Sequence, residues 1–213
     1  MQISAVTERE VHFIITLFAL AVANRMRNYV KILLVQGLLL FALSLVQLSD
    51  ITVANLVWIA VETLLFKSVA VPTLLFHLIN KNRITREAEP YLPHFASLAI
   101  TVCIVAGTFL LAGAADDGVI SRMTFVAALS TIFFGLYFIC SRRKLLSHLM
   151  GYIIIENGVF ILTLAVGNTM PFLVNLGVLL DIFASVLLLG FLAGRIGDVF
   201  KNTDIENLTS LKD

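Results

Sequence analysis

The chain has 213 residues, 59% of them hydrophobic and 14% charged, with a net charge of +1 and a mean hydropathy of +0.97. Soluble domains hold about 45–50% apolar and about 25% charged residues. This composition therefore excludes a soluble enzyme, a nucleic-acid-binding protein and a disordered chain, and points to an all-α, polytopic membrane protein.

Seven apolar runs follow one another. The first, His12–Ala23, is short and preceded by Glu8, Arg9 and Glu10. Ala21-Val22-Ala23 resembles a signal-peptidase site, but a signal peptide starts basic, so residues 11–24 are expected to stay as a first helix. Tyr29–Leu48 comes next, then the long run Ile51–Ile79, where Pro72 predicts a kink or tilt. Phe95–Gly113, Val119–Cys140, Leu145–Gly167 and Pro171–Gly194 complete the set. Most approach the ~20 residues that a spanning helix needs.

Charge placement tests this count. Arg25, Arg27 and Lys31, then Lys81, Arg83 and Arg86, then Arg142, Arg143 and Lys144, and finally Arg195, Lys201 and Lys212 occupy alternate connections. They are twelve of the 15 Lys and Arg residues. The other side has Arg9 and Arg122 with Asp50, Asp116 and Asp117. The positive-inside rule then predicts about seven spans, the N-terminus outside and the C-terminus in the cytoplasm.

The organisation follows: a three-helix segment over 1–80, a cytoplasmic connection over 81–93, a four-helix segment over 94–197 and a tail over 198–213. In the tail, Thr203-Asp204-Ile205-Glu206 reads as a capping box opening a short helix.

Glu62, Lys67, Glu156 and Asp181 lie well inside apolar runs. Glu156 follows Lys144 by twelve residues, hence about 18 Å deep at ~1.5 Å per residue, near the middle of a ~30 Å core. One such charge costs about 2.5–3.5 kcal/mol to insert. Such groups stay protonated, pair with Lys67 or line a hydrated path, so the reading is a proton or ion route, with interhelical glue as the rival. His148, Tyr152 and Glu156 recur every four residues as a polar stripe, and Asn157 adds an amide beside it. Glu62 and Lys67, five apart, diverge by about 140° on an α-helix, so Lys67 is expected to meet a carboxylate of another helix or another protein. Pro72 cannot donate to the carbonyl of Ser68, which is left for the Lys67 ammonium or a water. Cys103 and Cys140 read as small core thiols, and His12, His77 and His94 as helix-end residues. No CxxC, CxxH or HExxH occurs, so the chain itself is expected to hold no metal and no cofactor.

The stretch Arg142-Arg143-Lys144-Leu145-Leu146, the block Gly151-Tyr152-Ile153-Ile154-Ile155-Glu156-Asn157-Gly158, Asp181, and the ending Asp204-Ile205-Glu206-Asn207-Leu208-Thr209-Ser210-Leu211-Lys212 resemble the membrane component E of hydrogenase-4. Lys67 followed by Val71-Pro72 fits the same family, and the resemblance runs over nearly the whole chain. From about residue 140 the chain is also similar to the K-type (4L) subunit of respiratory complex I and to the C-type component of multisubunit cation/proton antiporters. Asp181 falls at the second membrane carboxylate of the complex I protein. Ile153 stands where the first would be, and Glu156 sits one helical turn later on the same face.

The resemblance implies a non-catalytic, multi-pass subunit of a membrane-bound group 4 nickel–iron hydrogenase or formate hydrogenlyase-type complex, in the cell inner membrane. The implied partners are antiporter-like membrane subunits, a membrane anchor subunit, the hydrogenase large and small subunits, iron–sulfur proteins and the lipid bilayer. The nickel–iron centre and the iron–sulfur clusters are expected in those partners. The implied pathway residues for protons, or sodium, are Glu156, Asp181, Lys67, Glu62, His148, Tyr152 and Asn157. The alternatives are a C-type antiporter component, a scaffold between antiporter-like subunits, or a small self-contained transporter.

Overall fold

A computed structural model describes residues 2–47, 57, 60–81, 92–114, 121–142 and 145–166, all within one compact unit of residues 1–174. These residues form α1 (Gln2–Val22), α2 (Met26–Gln47), a π-helix (Ala60–Ala70), α3 (Val71–Lys81), α4 (His94–Ala114), α5 (Arg122–Ser141) and α6 (Leu145–Val166). No strand occurs among the described residues. The seventh apolar run with Asp181 and the tail with its capping box lie outside them.

Four described helices are long and apolar enough to cross a membrane: Met26–Val46, His94–Ala114, Arg122–Ser141 and Leu146–Ala165. The chain is a multi-pass helical membrane protein. Helix α1 is equally long, but its first half carries Glu8, Arg9 and Glu10, and the third run gives only a shorter apolar helix, Thr63–His77.

Helix α1 starts at Gln2, well before the expected residue 11. The acidic flank stays helical because its charges find partners across the bundle. The Arg9 guanidinium donates to the Ala42 carbonyl of α2, and the Thr124 hydroxyl of α5 donates to Glu10 Oε1.

The long third run breaks at the expected place in an unexpected way. Pro72 has no N–H, and its ring crowds the carbonyl four residues back. The chain answers with wide i→i+5 turns over Ala60–Ala70, then resumes as α3. Ser68 Oγ donates to the Thr63 carbonyl five residues earlier, at 2.9 Å.

Helices α5 and α6 form an antiparallel hairpin whose backbones touch through glycines. A Cβ on Gly135 would stand 2.9 Å from the Gly151 carbonyl oxygen and 2.9 Å from the Ile155 nitrogen. One on Gly158 would meet the Ile132 nitrogen at 2.9 Å and the Ala128 oxygen at 3.0 Å. Small residues that let backbones approach are the usual device of helix pairing in lipid.

Helix α4 shows the inverted polarity of that environment. Its buried residues are Ser97, Thr101, Thr108 and Ala112. Thr108 and Ser130 hydroxyls lie 2.6 Å apart, and the Tyr137 hydroxyl donates to Ser97 Oγ at 2.7 Å. Phe95, Val102, Leu110 and Leu111 are exposed. Cys103 and Cys140 share such outer faces, which corrects their reading as core thiols. A thiol is apolar enough to face lipid, while hydroxyls must find partners inside.

Gly135→Ala is expected to force α5 and α6 apart at backbone atoms and to cost about 1–3 kcal/mol. Gly107→Ala, where a Cβ meets nothing within 4 Å, is expected to leave the thermal midpoint in detergent unchanged. Equal midpoints for the two variants would contradict this packing.

Candidate functional site: a buried ion pair among four helices

Lys67 comes from the π-helix and Glu156 from the middle of α6. Lys67 Nζ lies 3.9 Å from Glu156 Oε1, with both side chains more than nine-tenths buried. The ammonium also stands 4.9 Å from the ring centroid of Phe160, one turn after Glu156. The expected carboxylate partner on another helix is thus Glu156, and the ammonium is directed there and to Phe160.

The approach of α2 makes room for this meeting. A Cβ on Gly37 would be 2.7 Å from Ser68 Oγ and 2.9 Å from the Lys67 carbonyl carbon. Next to Gly37, Gln36 is fully buried and joins two helices at once. Its Nε2 donates to Thr16 Oγ1 of α1 at 2.8 Å, and its Oε1 accepts from Asn157 Nδ2 at 3.2 Å. The Thr16 hydroxyl in turn donates to the Phe13 carbonyl at 2.6 Å. A hydrogen-bonded line therefore runs from α1 through α2 to α6 and ends beside the ion pair.

The remaining expected residues divide. His148 and Tyr152 are half-buried on the α6 stripe below Glu156. The His148 Nε2 lies 2.9 Å from the Arg142 carbonyl oxygen. The 140° divergence expected of positions 62 and 67 holds for an α-helix. In wider i→i+5 turns, positions five apart diverge much less. The Glu62 side chain and Asp181 lie outside the described residues.

Sequence reasoning missed Gln36, Thr16 and Gly37. Gln36 had a signal, as a lone amide midway along an apolar run. Arg142, which the sequence sets among the charges of a connection, is buried at the α5–α6 elbow, 5.6 Å from the centroid of Tyr29 and 5.0 Å from that of Phe138. Those two rings meet edge to face at 5.3 Å. Among the described residues, no group of three or more His, Cys, Asp or Glu is arranged to hold a metal ion.

Helical spans enclosing a buried ion pair and a line of amide hydrogen bonds define a membrane protein with an ionisable centre. Comparison with known proteins narrows the class. Residues 123–213 match the family model of NADH-ubiquinone/plastoquinone oxidoreductase chain 4L. The match starts with α5, one helix before the expected residue 140. The chain is 33% identical over 85 residues to hydrogenase-4 component E of Escherichia coli strain K12, covering 40% of this chain and 39% of that protein. It is 27% identical over 195 residues to an uncharacterized protein of Mycobacterium tuberculosis, covering 88% of this chain and 87% of that protein. No solved structure matches. The resemblance to hydrogenase-4 component E and to chain 4L is thus found. The component E match is confined to part of the chain, short of the nearly complete coverage that the sequence motifs suggest.

Removing one member of a buried pair leaves the other charge uncompensated and typically costs about 3–5 kcal/mol. Lys67→Met and Glu156→Met are each expected to destabilise by that order, and the double variant by much less than their sum. Denaturant titration in micelles measures the cycle, and additive costs would show that the two charges do not interact.

Proposed function

We propose that the chain is a non-catalytic membrane subunit of a respiratory-type complex, specifically of a membrane-bound group 4 nickel–iron hydrogenase or formate hydrogenlyase-type assembly. In this reading it has seven spans, an N-terminus outside and a C-terminus in the cytoplasm, and it sits in the cell inner membrane. Redox centres belong to its partners: the hydrogenase large and small subunits and iron–sulfur proteins, with an anchor subunit and antiporter-like subunits beside it in the membrane.

The observation that carries the proposal is the Lys67–Glu156 pair, 3.9 Å apart in a buried setting. A protonated Glu156 no longer compensates the Lys67 ammonium, so a proton gained at one residue changes the balance at the other. A charge moving in a neighbouring protein biases the same balance. Both routes make the pair a coupling element for proton or sodium translocation driven by electron transfer. Asn157, held by Gln36, fixes the register of α6 beside it. Tyr152 and His148 continue from Glu156 towards the α5–α6 elbow, and Glu62 and Asp181 complete the proposed pathway. The rival readings are a C-type antiporter component and a scaffold in which the pair only holds helices together.

Glu156→Gln keeps the shape of the side chain and removes its charge. In the intact complex, recovered through a tagged chain and identified by mass spectrometry, it is expected to lower ion translocation at least several-fold while every subunit is retained. Full translocation by the variant would overturn the coupling role. Loss of assembly with no change in translocation per complex would favour the scaffold. Antiporter proteins recovered without redox subunits would favour the antiporter reading.

A further inference from the structure

The elbow between α1 and α2 holds an open cleft of about 610 Å³. Its lining combines the apolar Ala19, Val22, Ala23 and Ile32 with the polar Arg25, Lys31, Asn24 and Asn28. No acidic residue lines it, and none lies in the first turn of α2.

These two cations differ from most of the other described basic side chains. Arg9 donates to Ala42, Arg27 to Asn80 at 2.9 Å, Lys67 pairs with Glu156, and Arg142 stacks on two rings. Arg25 and Lys31 are exposed, and their side chains have no hydrogen bond or ion pair among the described residues. The elbow itself is fixed, because the Tyr29 hydroxyl donates to the Ala23 carbonyl and the Asn28 N–H to the Arg25 carbonyl at 2.8 Å.

Its depth in the membrane is set by the spans. The apolar stretch Met26–Val46 begins at this elbow, so Arg25 stands just before the span and Lys31 in its second turn, within reach of the headgroup level for a long side chain. A ligand that fits must present an anion to Arg25 and Lys31 and an apolar chain to Ala19, Val22 and Ile32. We propose that the cleft binds an anionic phospholipid, its phosphate between Arg25 and Lys31 and one acyl chain along the apolar lining. The amides of Asn24 and Asn28 supply donors to headgroup oxygens. Soluble phosphate satisfies the cations but leaves the apolar lining uncovered.

The test uses the full chain in a neutral detergent with phosphatidylglycerol, phosphatidylcholine or inorganic phosphate added. Phosphatidylglycerol is expected to raise the thermal midpoint and to remain bound in native mass spectra, with phosphatidylcholine much weaker. Each interfacial cation is worth about fivefold in affinity for an anionic lipid, so Arg25→Gln with Lys31→Gln is expected to weaken retention about 25-fold. Arg122→Gln, at the opposite ends of the helices, serves as a single-charge control and is expected to retain the lipid. An unchanged midpoint in phosphatidylcholine shows that the double variant is folded. Equal retention of both lipids, no loss in the double variant, or the same stabilisation by inorganic phosphate alone would each overturn the proposal.

Discussion

An ammonium and a carboxylate that meet away from water constrain everything around them. The two charges of Lys67 and Glu156 are expensive apart and tolerable together, so the helices that carry them must arrive in register. On one side the register comes from α2, whose Gly37 lets the π-helix backbone come close and whose Gln36 reaches across to Asn157. On the other it comes from the α5–α6 hairpin, where Gly135, Gly151 and Gly158 leave no slack between backbones. The ion pair is thus the point at which two tightly packed interfaces converge. It also joins two parts of the chain of different character. Glu156 lies in the stretch that matches chain 4L, whereas Lys67, Gln36 and Thr16 lie before residue 123 and outside that match.

The same demand for internal partners explains the less polar helices. Hydroxyls in lipid have no water to bond, so Ser97, Thr101 and Thr108 turn towards α5 or their own backbone, and the large apolar side chains of α4 turn outwards. Of the four spans, α4 buries the smallest share, 22% against 56% for α6. It packs against α1 and α5 and shares hydroxyl contacts with α5, whereas α6 is locked by backbone contact.

Much of this arrangement is legible in the sequence where one physical rule dominates. Apolar length locates the helices, and the twelve-residue spacing from Lys144 puts Glu156 deep. The expectation that Lys67 meets a carboxylate of another helix is met by Glu156, but the α-helical angle between positions 62 and 67 from which it is argued does not apply to a π-helix. The details that escape such reading depend on neighbours. A π-helix cannot be read from the residues Ala60–Ala70 alone, because it is the response to Pro72 downstream and to α2 alongside. The burial of Arg142 depends on Tyr29 and Phe138, which come from two other helices. Helix α1 outruns its apolar core because Glu10 and Arg9 find partners on α5 and α2. Local composition reports solvation cost, and only tertiary packing reports what offsets it.

The separation of Lys67 and Glu156 along the chain has a consequence for biosynthesis. Lys67 leaves the ribosome long before Glu156 of α6 does, in a different helix of the bundle. Its carboxylate arrives only with α6, which packs on α5 through glycines. The order of events during membrane insertion is therefore written into the pairing. A chain cut short before residue 145 keeps the lysine without Glu156.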